Sequence, residues 1–377
     1  MDSCDVLIVG GGPAGSACAW GLRQSGLDTI ILDKQTFPRD KICGGWISPA
    51  VLDALEIDRN EYASTRILQP IAGFRTSCMG EREVETMYGE TISYGIRRFE
   101  FDDYLLKRSG ARVYEGVVLA SLERVSDRWV VNGQIKARVV VGAGGHFCPV
   151  ARFLGADARK EVAVVAQEME FELSPPQRED CSIQGEVPEL YFCPDMRGYG
   201  WCFRKGNFLN IGLGRLDAHA LPRHVSSFMQ FLTCSRKLGV DVETSLRGHA
   251  YLLYRHHQRN VVGDGILLVG DSAGLAYSQS GEGIRPAVES GLLAADVIIS
   301  ARGEYNQRTL SPYSGALTSQ FGKVQDDWSV AIGRRIPARW ISSFSKLLLE
   351  SRWFSRHVIL DQWFLHRHDP ALRSNPH

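Results

Sequence analysis

The chain has 377 residues and a mass of 41.9 kDa, which at about 100–200 residues per domain makes two or three folding units. Hydrophobic residues at 44% and charged residues at 23% are ordinary for globular proteins and exclude wholesale disorder, collagen and coiled-coil architectures. The 43 Lys and Arg balance 43 Asp and Glu, so no global field recruits nucleic acid and none is expected as a partner.

Residues 301–377 depart from that balance, with 11 Lys or Arg against 6 Asp or Glu and four of the eight tryptophans, Trp328, Trp340, Trp353 and Trp363. Nine cysteines without a CxxC pair argue against zinc ribbons and a disulfide framework, and no metal site is expected. The opening Met1-Asp2-Ser3-Cys4-Asp5 lacks a basic leader segment. No apolar run approaches the roughly 18–20 residues that span a bilayer. The expectation is a reducing, cytoplasmic location, with attachment to a membrane surface left open.

Along the chain, Asp5-Val6-Leu7-Ile8-Val9 reads as a strand buried on both faces of a parallel sheet. Gly10-Gly11-Gly12-Pro13-Ala14-Gly15 follows, then a helix of small residues over Ser16–Ser25 with Gly26 as its stop. Thr29-Ile30-Ile31-Leu32 is a second strand ending at Asp33-Lys34. Asn132-Gly133, between Trp129-Val130-Val131 and Ile135, is a type I′ hairpin signal. Val139-Val140-Val141 is another buried strand, ending in Gly142-Ala143-Gly144-Gly145. Strand-like runs at 162–165, 190–193 and 209–214, with a helix near 221–238, make residues 160–254 β-rich. Ile266 to Val269 is a third buried strand leaving through Gly270-Asp271, followed by a helix over about 283–300; from 311 the chain reads as helical.

The α/β pieces are thus interrupted by β-rich insertions. We expect a discontinuous nucleotide-binding domain at 1–75, 93–152 and 255–305, a substrate-binding β domain at 76–92 and 153–254, and a helical C-terminal region at 306–377.

Gly10-x-Gly12-x-x-Gly15 sits between a strand and a helix, the context in which this spacing means dinucleotide binding. The first glycine permits the tight turn, the second lets backbone approach a pyrophosphate, and the third lets helix and strand close-pack. Helix N–H groups then hold the diphosphate. Asp33 is placed to accept adenosine ribose hydroxyls. Asp271, after a buried strand and before a helix, reads as a helix cap, as a ligand contact, or as both at once.

Three segments carry a resemblance. Gly270-Asp271-Ser272-Ala273 and Gly281-Glu282-Gly283-Ile284-Arg285-x-Ala287 resemble the GD motif and flavin-side helix of flavoprotein monooxygenases and their relatives. The resemblance implies FAD, with Asp271 at the ribitol and the helix start at Gly283 and Ile284 facing the flavin, where it stabilises charge on the reduced ring. Arg98-Phe99-Glu100-Phe101-Asp102-x-x-Leu105 looks like the RxxFDxxL segment whose Arg approaches the diphosphate.

Within that superfamily the chain resembles the geranylgeranyl reductase family over roughly residues 3–305. Lys41-Ile42-Cys43-Gly44-Gly45 looks like its Cys-Gly-Gly segment beside the isoalloxazine, and Tyr199-Gly200-Trp201-Cys202-Phe203-x-Lys205-Gly206 with Asn210-Ile211-Gly212-x-Gly214 like its YxWxFPKG and NVGxG strands. The fold implied is α/β: a Rossmann-like FAD-binding domain of the glutathione-reductase type, an inserted antiparallel β-sheet substrate domain and a helical C-terminal region. The activity implied is hydride transfer from flavin N5 to a C=C bond of a prenyl chain, on a hydrophobic or lipid substrate. An external electron donor, NAD(P)H or ferredoxin, would reload the flavin. Tyr199 and Trp201 are candidates for the pocket lining, against ordinary sheet core. Cys43 is a candidate beside the flavin, against a buried small hydrophobe. No residue identifies itself as the proton donor.

Two departures bear on function. Ala143-Gly144-Gly145-His146 replaces Ala-Asp-Gly, which counts against a hydroxylase-like use of NAD(P)H. Arg204 replaces a proline and either faces solvent or meets an anionic head group. The rival reading is a flavin-dependent monooxygenase. A halogenase is further off, since Tyr199-x-Trp201-x-Phe203-Arg204 keeps one letter of WxWxIP. In the tail, Phe344-Ser345-Lys346-Leu347-Leu348-Leu349 and Trp353-Phe354, with Arg352 and Arg356, fit either peripheral membrane contact or a helix packed on the FAD domain.

Overall fold

The computed structural model describes residues 1–157, 159–238, 246–254, 259–322 and 348–367, with 369 and 372. The first of its sheets is centred on Asp2–Val9, with Ile135–Gly142 and Thr29–Leu32 parallel on either side and Ile266–Leu268 and Arg112–Tyr114 beyond them. The apolar runs at 6–9, 30–32 and 139–141 are buried throughout, as strands sandwiched between helices must be. The Asn132-Gly133 turn forms as expected: both residues have positive φ, 51° and 64°, and Gln134 N–H donates to Val131 O at 3.0 Å.

The first helix is Pro13–Leu22, three residues earlier than expected, because Pro13 suits the first helical position. The helix Ile284–Ser300 crosses it at very close range. A Cβ added at Gly291 would fall 2.3 Å from Ala14 O, and one at Gly15 only 1.9 Å from Gly10 O. Hydrogen at these two positions is what brings both helix starts down onto the ends of the strands.

The seven-stranded sheet runs Arg247–Tyr251, Val164–Glu172, Phe208–Arg215, Gly198–Lys205, Glu189–Phe192, Gly73–Cys78, Val84–Met87. Its pairs are antiparallel except Glu189–Phe192 with Gly73–Cys78. The helix Leu221–Cys234 buries Leu221, Val225, Phe228 and Leu232, one stripe at helical spacing, in the same cluster as Tyr191, Ile211 and Leu213. Trp46–Ile47, Ser93–Ile96 and Leu68–Ile71 form a small third sheet. Alternation along its first strand sends Trp46 into the core of the seven-stranded sheet and Ile47 into the cluster under the first helix.

The C-terminal region divides. Tyr313 and Leu317, on the helix Pro312–Phe321, join the core of the first sheet. The expected interfacial segment falls partly outside the described residues, which include neither 344–347 nor Trp328 and Trp340. Its described remainder, with the short helix Arg352–Phe354 and the widened helical stretch Ser355–Phe364, buries Leu349, Ile359, Leu360 and Phe364 against the seven-stranded sheet. This stretch therefore packs on that sheet, not on the FAD domain, because its apolar side chains complete the core around Trp46 and Phe203. Trp353 is 66% exposed. Among the described residues no helix is long and apolar enough to cross a membrane.

Gly15→Ala is expected to cost about 1–3 kcal/mol through forced overpacking against Gly10, read as a lower thermal unfolding midpoint.

Candidate active site

A cavity of about 630 Å3 opens where the ends of the first sheet meet the seven-stranded sheet, within the ~300–1,000 Å3 range of cofactor and ligand sites. Gly10, Gly12, Pro13, Ala14, Asp33, Lys34, Gly44, Gly45, Arg98, Asp271, Gly283 and Ile284 all line it. So do Cys43, Tyr199 and Trp201. Gly15 and Gly142 do not: Gly15 closes the helix onto the strand, and a Cβ at Gly142 would meet Leu268 and Val150 within 3 Å, so both act through packing.

At the nucleotide end, Asp33 is buried, with one carboxylate oxygen accepting from Gly11 N–H at 2.7 Å and the other from Gln35 N–H at 2.8 Å. These bonds tie the glycine turn to the end of the second strand. Arg98 grips Asp102 with two bonds of 2.6 and 2.7 Å. Burial disfavours the Arg98 charge, but Asp102 outweighs it and holds the guanidinium above its ordinary pKa. Arg39 shares Asp102 at 3.1 Å and lies over the Phe37 ring. Its Nη1 is buried with no hydrogen-bond partner among the described residues, and its Nη2 would stand 3.6 Å from a Cβ at Gly12. A buried guanidinium nitrogen without an acceptor, beside a glycine turn at a helix start, fits the diphosphate of FAD.

At the other end, the seven-stranded sheet clamps the 41–45 loop. Glu168 accepts from Cys43 N–H, Asn210 Nδ2 donates to Cys43 O at 3.2 Å, and Lys205 Nζ donates to Gly44 O and Ile96 O at 3.0 Å each. Lys205, only 1% exposed, also pairs with Glu170 at 2.5 Å. Trp201 Nε1 donates to Asn210 Oδ1 at 2.7 Å, and the Tyr199 hydroxyl donates to Ser280 O. Tyr199 and Trp201 thus line the cavity while their polar atoms hold the scaffold. Phe364 stands edge-on to Tyr199 at 5.3 Å and extends this aromatic wall with Phe203 and Trp46.

Across the cavity floor, Lys41 Nζ lies 3.0 Å from His249 Nδ1, and His249 Nε2 lies 3.9 Å from an Asp271 oxygen. Burial, then the Lys41 charge, pulls His249 down to about 3, so it is neutral. Burial also lowers Lys41 to about 8 and raises Asp271. Asp271 does not cap the following helix; Gly283 occupies the N-cap with no side-chain bond, and Asp271 faces the cavity instead. Burial pushes Glu282 up to about 8 and Glu168 up to about 7. In the 143–146 turn, Arg259, paired with Glu161 at 2.5 Å, donates to His146 O and Ser272 O. Arg204 does not line the cavity; its Nε turns to Gly206 O, which removes it as a head-group contact.

Lys205, Asn210 and Glu282 lay inside recognisable motifs, but nothing local showed what they bond to. Glu168 carried no distinguishing signal, since Glu170 and Glu172 share its strand and only the fold shows that it is the buried one of the three. Lys41 stood at the edge of a recognised segment, whereas His249, Tyr251, Arg39 and Phe364 reach the cavity only through the tertiary fold.

The fold and this site define an FAD-dependent oxidoreductase. Residues 8–60 match the model of the NAD(P)-binding Rossmann-like domain. The chain is 32% identical over 320 residues to a menaquinone reductase of Mycobacterium tuberculosis, covering 79% of this chain and 77% of that one. It is 28% identical over 340 residues to digeranylgeranylglycerophospholipid reductase 3 of Methanosphaera stadtmanae, covering 85% and 83%. A geranylgeranyl bacteriochlorophyll reductase-like structure from Thermoplasma acidophilum superposes with a TM-score of 0.78 at 21% identity, over 98% of both chains. The chain belongs to the geranylgeranyl reductase family of FAD-dependent oxidoreductases.

Lys205→Met strands two carbonyls and part of the Glu170 charge, and is expected to cost about 3–5 kcal/mol with weakened FAD binding, measured by thermal unfolding and flavin titration. A second expectation concerns pH. Between about 4.5 and 8 the folded Glu282 keeps a proton that the unfolded chain releases, so this group makes stability fall as pH rises. Denaturant unfolding of the flavin-free Glu282→Gln protein should show a flatter profile over that window.

Proposed function

We propose that the protein saturates C=C bonds in the prenyl side chain of a quinone or related lipid. One observation carries the reading: the aromatic wall of Trp46, Tyr199, Trp201, Phe203 and Phe364 adjoins the Cys43-Gly44-Gly45 turn in the same cavity as the nucleotide-binding residues. A hydrocarbon chain has no polar handle, so it must be placed by shape and apolar contact. The reductase names of the relatives at 32% and 28% identity support the same substrate class.

Gly12, Ala14, Arg39 and Arg98 are assigned to the diphosphate, Asp33 to the adenosine ribose, and Asp271, Gly283 and Ile284 to the ribitol and ring. FAD bound there supplies, when reduced, a hydride for one alkene carbon. The N-terminus of the helix Ile284–Ser300 borders this cavity and would favour the negative charge of a reduced flavin held there. The Lys205, Asn210 and Glu168 clamp sets the height of the Cys43–Gly45 turn, and the aromatic rings exclude water from the double bond. Cys43 lies at the junction of turn and wall.

The test is anaerobic. Protein reconstituted with FAD and reduced with dithionite is mixed with a quinone bearing an unsaturated prenyl chain. Flavin reoxidation without oxygen, and a product heavier by one H2 per bond saturated, are expected. Reoxidation only in air, with oxygen entering the product, would replace this reading with a monooxygenase.

A further inference from the structure

We propose that the Glu168 carboxyl delivers the proton that completes saturation of the double bond, and that a small side pocket behind it returns a proton from solvent. The role rests on the proposed reductase function.

Glu168 stands in the middle of the Val164–Glu172 strand, 4% exposed. It lines the main cavity and also a second pocket of about 70 Å3, whose rim includes the exposed Asp40, Phe99 and Arg247. One carboxyl therefore borders both the substrate space and a path to the surface. A volume of that size, lined by Asn210, Glu170 and Arg97, has room and polar partners for about two waters. Because Oε1 accepts from Cys43 N–H, the other oxygen is the one left to carry a proton.

The charged surroundings agree. From the Gly198–Lys205 strand, one strand beyond the neighbouring Phe208–Arg215, Lys205 attracts negative charge onto Glu168, but that ammonium is already held by Glu170 and two carbonyls. From the 41–45 loop, Lys41 acts more weakly and is held by the His249 ring. Glu170, two residues along, opposes ionisation. Arg247 lies directly across the strand pair from Glu168 and turns to Asp40; Arg98, from the helix over 98–108, is taken by Asp102. Burial dominates this balance and sets Glu168 near 7, where a general acid is both protonated and willing to give its proton at neutral pH.

Tyr199, Tyr251, His249 and Glu282, also on the cavity, are less suited. The Tyr199 hydroxyl is committed to Ser280 O, burial drives the Tyr251 phenol further from acidity, and neutral His249 has no readily lost proton. Glu282 lines the main cavity but not the side pocket.

The step balances. As hydride from the reduced cofactor joins one alkene carbon, the π electron pair forms the new bond between the second carbon and the Glu168 proton. The O–H electrons stay on the carboxylate, and one solvent proton entering through the side pocket restores the acid.

The test compares wild-type and Glu168→Gln holoproteins. The amide keeps the acceptor for Cys43 N–H, so equal flavin spectra and unfolding midpoints show that the site is intact. Infrared difference spectra between the two proteins, taken without substrate, should show a protonated carboxyl band that disappears with a midpoint near pH 7. In single turnovers of reduced protein with the prenyl quinone, the wild-type rate should fall about tenfold per pH unit above that midpoint. The variant should be slower by about 100-fold or more, with no such dependence. A variant within about twofold of wild type, or a wild type with no such band, overturns the assignment while the reductase reading stands. A wild type that saturates nothing overturns both.

Discussion

The structure turns on a short stretch of irregular backbone held by buried polar side chains. The half-buried 41–45 loop lies between the two large sheets, and its N–H and C=O groups need partners where the cavity lining shields them. Glu168, Asn210 and Lys205 supply that satisfaction from the seven-stranded sheet. A buried amide left without a partner costs about 1–3 kcal/mol, so the loop has one low-energy position, which the sheet sets. Lys205 reaches Ile96 O as well, so one ammonium fastens the loop and the small third sheet to the same strand. The distance between the cofactor-facing turn and the aromatic wall is thereby a property of the scaffold.

Charge is distributed along the cavity by the same logic. Arg39 and Arg98 gather at the nucleotide end and share Asp102, which prepays part of their desolvation and holds the Arg98 guanidinium above its ordinary pKa. Toward the aromatic wall, Glu168 and Glu282 lack full compensation and move toward neutrality. One continuous space thus offers positive charge to a diphosphate and a nearly neutral lining to hydrocarbon. The Lys41, His249 and Asp271 line crosses between these regions.

Most of the nucleotide-binding half was legible because its determinants are local. The strand, glycine turn, helix and Asp33 fall within residues 5–33, and each is set by near neighbours in the chain. The same holds for the Asn132-Gly133 hairpin. The substrate half was legible as β structure and as a motif, but not as contacts. Tyr199 and Trp201 were legible as candidates for the lining, and both line the cavity, yet the partners of their polar atoms, Ser280 and Asn210, depend on a loop some eighty residues away and on strand pairing. The C-terminal stretch misled because its basic and aromatic residues satisfy two environments equally well. Only the sheet face exposed by Trp46, Phe74 and Phe203 decides that Leu349, Ile359 and Phe364 turn inward.

Phe364 has an implication for biosynthesis. It leaves the ribosome after every other residue that lines the cavity, whereas the glycine turn and Asp33 are made within the first tenth of the chain. Since domains generally fold from the N-terminus during translation, the nucleotide cleft, which needs residues as late as Ile284, can form before Phe364 completes the aromatic wall. Completion of the aromatic wall therefore waits for the Ser355–Phe364 stretch to dock on the seven-stranded sheet.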